Sequence, residues 1–351
     1  MKLRLAGALI VGLLVACADD VQPPRVTTEL AAGWTELPAP PIVRARAASV
    51  WTGKELVYWG GDTDFGSTHH ADGAAYDPGT RRWRRIPSGP LSGRSTPGAV
   101  WTGTEVVLWG GSPASGDGAA FDPEAGTWRA LPPAPLSPRA PVATVWTGQE
   151  VLVWGNASRN RRANDGAAYD PAADRWRPLP PAPLALNTAQ AVWTGEEMVV
   201  FGAHLDRNNA SRTEHAQGIA YRPATDEWRV IAPRPLSPQA STVAWTGDRV
   251  LVWDYELTAG VYDPARDVWA GVPDLPLSDA ECYPESVVAD GFVFAWYCGV
   301  GALYDVESGT WKRVPSPEDV VFGRPVSAGS VVLFAGAAHE GRANALLAYR
   351  P

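Results

Sequence analysis

The chain has 351 residues, with 38 acidic against 30 basic side chains and a formal net charge of −8. An acidic balance argues against nucleic acid or an anionic lipid surface as the main partner. Hydrophobic residues make up 45% of the chain, ample for a large core.

Residues 1–16 start with Lys2 and Arg4 and continue as an apolar run from Leu5 to Ala16. Such a run is too short to span a bilayer as a helix but suits a secretory signal. It ends in Leu14-Val15-Ala16-Cys17, which resembles the bacterial lipobox. The resemblance implies cleavage before Cys17, a diacylglyceryl group on its sulfur, and a mature chain held outside the cytoplasm on the cell membrane. Residues 17–29, with Pro23-Pro24, then form a polar tether. Removing Lys2 and Arg4 leaves 28 basic against 38 acidic residues, a net of −10.

From residue 30 onward one unit recurs. Its clearest copy, residues 101–136, has four parts. A short strand ends in Trp101-Thr102-Gly103, and an apolar run to Trp109 closes in Gly110-Gly111. A third strand from Gly118 to Phe121 leads into Asp122-Pro123, and a fourth opens at Trp128. An apolar run suits a strand covered on both faces, and Thr-Gly between such runs marks a hairpin. Asp-Pro fits the start of a type I turn, because Pro presets the backbone angle and Asp bonds to the chain ahead.

Trp-Thr-Gly recurs at Trp51, Trp101, Trp146, Trp193 and Trp245, and Ala289-Asp290-Gly291 and Ser327-Ala328-Gly329 fill the same slot. The third-strand aromatic recurs as Tyr76, Phe121, Tyr169, Tyr221, Tyr262, Tyr304 and Tyr349. In the first six copies a Trp follows seven residues later; the seventh runs out at Tyr349-Arg350-Pro351. Gly33-Trp34-Thr35-Glu36-Leu37-Pro38 supplies the missing fourth strand from the other end of the chain. Four strands every 41 to 52 residues predict an all-β propeller, with residues 33–38 closing the last of seven blades. Closure removes the open edges of the array.

The order apolar strand, Gly-Gly, Tyr-Asp-Pro, six residues, Trp resembles the kelch motif of galactose oxidase-like propellers, over residues 30–351. The double glycine is intact at Gly60-Gly61 and Gly110-Gly111. It decays to one Gly at Gly155, Gly202 and Gly336, and to none at Asp254-Tyr255. Of the seventeen Trp, all but Trp296 fall in repeat slots, so they read as blade packing rather than a sugar platform. Trp296 sits one residue off the pattern.

Cys282 and Cys298 average to position 290, the middle of the Asp290-Gly291 hairpin. They are expected to face each other across two antiparallel strands, at about 4.5–5.5 Å between Cα atoms, and to form a disulfide in an oxidising compartment.

Candidate binding residues cluster where crossovers reach the innermost strands. After each Pro-Leu the same position reads Arg94, Arg139, Asn187 and Gln239, with Arg44 equivalent in blade one. In kelch receptors arginines at the matching position line a pocket for acidic peptide, so the resemblance implies a polar or anionic ligand. Arginine pairs bidentately with carboxylates. Such arginines also cap carbonyls between blades. The long second-to-third loops add Asp62, Asp64, Phe65, His69 and His70 in blade one. Blade four adds His204, Asp206, Arg207, Glu214 and His215. Phe65, an aromatic outside the repeat slots, is a contact candidate.

Three functions fit: a non-catalytic module binding a protein, peptide or glycan; a carbohydrate oxidase or epimerase; and an envelope scaffold. The copper set of the galactose oxidases, two Tyr, two His and a Cys, is not assembled on one face by the pattern. The expectation is therefore a monomeric binding module without metal or cofactor. Fold alone does not choose among these.

Overall fold

The computed structural model describes residues 30, 32–42, 44–63, 66–141, 143–156, 163–205, 214–233, 242–253, 258–276, 285–297, 300–315, 322–339 and 342–351. The described residues form seven four-stranded antiparallel sheets and one two-stranded ribbon. Blade one comprises Ala48–Trp51, Leu56–Trp59, Gly73–Asp77 and Arg82–Ile86, and the five following blades repeat that order. The seven innermost strands touch their neighbours in sequence, and Ala48–Trp51 also touches Phe322–Ala328 of blade seven. The chain is an all-β, seven-bladed propeller closed as a ring.

Blade seven takes three strands from the end of the chain and its fourth from the start. Gly33–Leu37 pairs antiparallel with Arg342–Arg350, Gly33 opposite Arg350 and Leu37 opposite Leu346. Closure by the N-terminal strand follows.

The repeat residues do specific work in this ring. Each third-strand aromatic lies opposite the fourth-strand Trp, as Tyr169 opposite Trp176, with ring centroids 5.1 Å apart. That Trp then reaches the previous blade: its indole N–H donates to a carbonyl just past the fourth strand there. Trp128 bonds Pro87 at 2.8 Å, Trp176 bonds Pro132 at 3.0 Å and Trp228 bonds Pro180 at 2.9 Å. Trp269 bonds Ala232 at 2.7 Å and Trp311 bonds Pro273 at 2.9 Å. Closure uses the same bond on both sides, Trp34 to Pro315 and Trp83 to Pro38, each at 2.6 Å. Seven indoles thus join seven blades head to tail.

The Asp of Tyr-Asp-Pro acts as expected. Asp122 Oδ1 accepts the backbone N–H groups of Glu124 and Ala125, and Asp170 and Asp305 do the same in their blades. Between blades, Arg129 holds Glu105 of the first hairpin in its own blade while its Nη1 reaches Tyr169 Oη at 2.7 Å and Asp174 at 2.9 Å. Arg177 and Arg229 repeat this toward Tyr221 and Tyr262. Burial, more than the neighbouring Asp, pushes the Tyr169 and Tyr221 hydroxyls up to about 12.

Two expectations change. In blades one to five the first hairpin has a four-residue turn, as between Trp51 and Leu56, but in blade six Ala289 lies opposite Phe292. Val288, opposite Val293, holds the place that Trp51 holds opposite Leu56, so the Trp-Thr-Gly slot of blade six starts one residue before Ala289 and Trp296 is in register. Paired with Gly301, it occupies the slot Trp59 holds opposite Gly73. The centre of that hairpin therefore falls between Asp290 and Gly291 rather than on Asp290. Cys282 and Cys298 lie outside the described residues.

Candidate functional site

Second-to-third connections and crossovers share one face of the ring, the loop face; the tight first-to-second and third-to-fourth turns share the other, the turn face. On the loop face the crossovers into blades two and three lie on the double glycine of the blade before. Gly61 N–H donates to Arg94 O at 2.8 Å, and Gly111 N–H to Arg139 O at 2.9 Å. A Cβ on Gly60 would stand 2.7 Å from Arg94 O, and one on Gly110 would stand 2.5 Å from Arg139 O. Both glycines have positive φ. The kelch double glycine is thus the seat for the backbone that carries the next arginine.

The side chains of those arginines turn back into the protein. Arg94, fully buried, donates from Nη1 to Asp117 Oδ1 at 2.7 Å, from Nη2 to Oδ2 at 3.2 Å, and to Ser92 O and Oγ. Arg139, 4% exposed, makes the same set with Asp165 and Ser137. Arg44 meets Asp72 Oδ1 at 2.5 Å and the carbonyls of Gly60 and Asp72. Burying a guanidinium requires this, because an unpaired buried charge is costly. The Asp117 and Asp165 carboxyls sit below the usual carboxylate range, chiefly through hydrogen bonds from Arg94 and Arg139.

The three aspartates, not the arginines, reach solvent: the side chains of Asp72, Asp117 and Asp165 are 40%, 58% and 46% exposed. Sequence reasoning passed over them. The signal was present, since each stands directly before the glycine that opens its third strand, as Asp72-Gly73, Asp117-Gly118 and Asp165-Gly166. In blade four that place is Gln217, and the crossover position is Asn187 rather than Arg. Asn187 heads the innermost strand, opposite Ala203, instead of preceding it.

A further guanidinium does reach the mouth. Arg46, at φ +54°, donates from Nε and Nη2 to the two oxygens of buried Asp62 at 2.8 Å, and its side chain stays 49% exposed. Beside it Thr63 Oγ1 and His70 Nε2 lie 3.1 Å apart, on a ribbon that pairs Asp62 with His69. Tyr58 donates to Arg44 O at 2.5 Å, and burial pushes its hydroxyl up to about 12. Across the channel Thr242 Oγ1 meets Gln190 Oε1 at 3.1 Å and Ser286 Oγ at 2.9 Å, joining blades four, five and six.

Of the other candidates, His204 and His215 are cross-strand neighbours in blade four, next to Leu205 opposite Glu214. Asp64, Phe65, Asp206, Arg207 and Gln239 lie outside the described residues. Among the described residues, no three His, Cys, Asp or Glu side chains are gathered as a metal site.

A closed ring of seven such blades, stapled by Trp and seated on Gly-Gly in its first two, is a kelch propeller. The chain belongs to that family: the description "KLHDC2/KLHL20/DRC7 Kelch-repeats domain" matches residues 44–252, more than half of its length. A search of the curated proteins finds no match. A solved structure described as "Structure of YjhT" resembles it with a TM-score of 0.55 at 14% identity, over 74% of this chain and 95% of that one. At that identity the likeness concerns the fold.

Proposed function

We propose that this propeller is a binding module of the cell envelope, anchored through lipid on Cys17, acting as a monomer at its loop face. The observation that carries the reading is the set of Arg–Asp pairs in blades one to three. Buried Arg44, Arg94 and Arg139 fix Asp72, Asp117 and Asp165 as half-exposed acceptors around the mouth. Arg46, fixed by Asp62, adds a donor among them. Groups held this way lose little entropy when a ligand arrives, which is the advantage of preorganisation.

The arginines expected to meet ligand act here as positioning groups. The ligand class shifts accordingly, from an acidic peptide toward one rich in hydrogen-bond donors: a glycan, or a protein or peptide segment bearing amines and hydroxyls. Hydrogen-exchange mapping with peptide and glycan libraries tests the reading. Protection is expected around residues 60–63, 66–72, 92–96 and 111–117. Protection confined to the turn face would refute it.

A further inference from the structure

Gly33 lies opposite Arg350, at the end of the third strand of blade seven, where the other blades carry their third-to-fourth turn. Just upstream, Leu30 is buried in the apolar cluster between blades seven and one, and its carbonyl accepts from Arg350 Nη1 at 2.7 Å. The chain is therefore pinned to the turn face before the strand begins.

Twelve residues lie between Cys17 and Leu30, thirteen steps from Cα to Cα. Fully extended, that stretch reaches at most about 45 Å. A body of this length is about 50 Å across. Even at full extension that reach is less than the width of the body.

We infer that the anchored propeller stands with its turn face toward the bilayer and its loop face away from it, a proposal that rests on the lipid anchor at Cys17. The partner of the turn face is the membrane that carries the anchor. The mouth of Arg–Asp pairs then opens toward molecules arriving from outside that membrane, without the bilayer blocking it.

The test places a donor dye, through a clickable amino acid, at position 124 in a turn of blade two or at position 114 in its second-to-third loop. Glu124 and Ala114 are both exposed. The mature chain, with Cys282→Ser and Cys298→Ser, is coupled through Cys17 to a maleimide lipid in vesicles whose headgroups carry the acceptor. Energy transfer is expected to be strong from position 124 and to fall when the donor moves to position 114. Equal transfer, or the reverse order, overturns the orientation. The anchor is tested apart, by growing cells on a clickable fatty acid: label lost in Cys17→Ser supports it, and an unlabelled native protein overturns the anchor while leaving the vesicle result standing.

Discussion

Replacing Trp34 by Ala attacks ring closure at its one non-consecutive joint. Trp34 packs at 5.0 to 6.2 Å against the rings of Tyr349, Phe334, Trp296 and Phe294, and its indole N–H bonds Pro315 O. Large-to-small changes of a packed aromatic cost about 3–5 kcal/mol. Because Trp34 is only partly buried, the lower part of that range, about 3–4 kcal/mol, applies. The hydrogen bond is about 1 kcal/mol of it. The entropy of unfolding for a domain of this length is about 0.7 kcal/mol/K, so Trp34→Ala is expected to lower Tm by about 4–6 °C in scanning calorimetry. Trp34→Phe, which keeps a ring but loses the N–H, should lower it by about 1–2 °C. Trp83→Ala, on the other side of the same closing strand, should match Trp34→Ala. A Trp34→Ala protein melting within about 1 °C of the parent would refute closure through residues 33–37.

Other outcomes follow from the same geometry. Asp117 and Asp165 have folded pKa values below their unfolded ones, so their contribution is present above about pH 4 and lost as pH falls through the folded values. Melting temperature should hold near neutral pH and drop below about pH 4, and the drop should shrink in Asp117→Asn with Asp165→Asn. At the other extreme, Tyr169 and Tyr221 should ionise near 12 in an ultraviolet titration, with stability falling as pH rises through that range. A normal titration near 10 in the folded protein would refute their burial beside Arg129 and Arg177. Gly110→Ala should destabilise more than Gly103→Ala, although both glycines have positive φ, because only Gly110 is pressed by a neighbouring carbonyl. Similar melting of the two variants would remove the seating role assigned to the double glycine.

The fold was legible because its determinants repeat locally. Trp-Thr-Gly, Tyr-Asp-Pro and the following Trp each lie within one or two strands of their partners, so blade count and closure could be read by counting. Blade six shows the limit: with no Trp to mark the slot, counting set it at Ala289 instead of Val288, which put Trp296 one residue off the pattern. The mouth was only half legible. Arginine at a fixed place after Pro-Leu was visible, yet its partner lies far along the chain, as Asp117 does 23 residues beyond Arg94. Pairing depends on how each blade folds back over its own crossover. Exposure reversed the expected roles, since burial took the arginines and left their aspartates in solvent. The recurring Asp before the third-strand Gly, and its joint change with the arginine to Gln217 and Asn187 in blade four, were the traces of this pairing in the sequence.

Binding itself is tested most directly on peptide and glycan arrays, comparing the parent with two variants that keep the ring. One carries Asp117→Asn and Asp165→Asn on the loop face; the other carries Glu124→Gln and Glu227→Gln on the turn face. The account predicts that ligands held by the parent are lost in the loop-face variant and retained in the turn-face one. Ligands retained by the loop-face variant and lost by the other would contradict it.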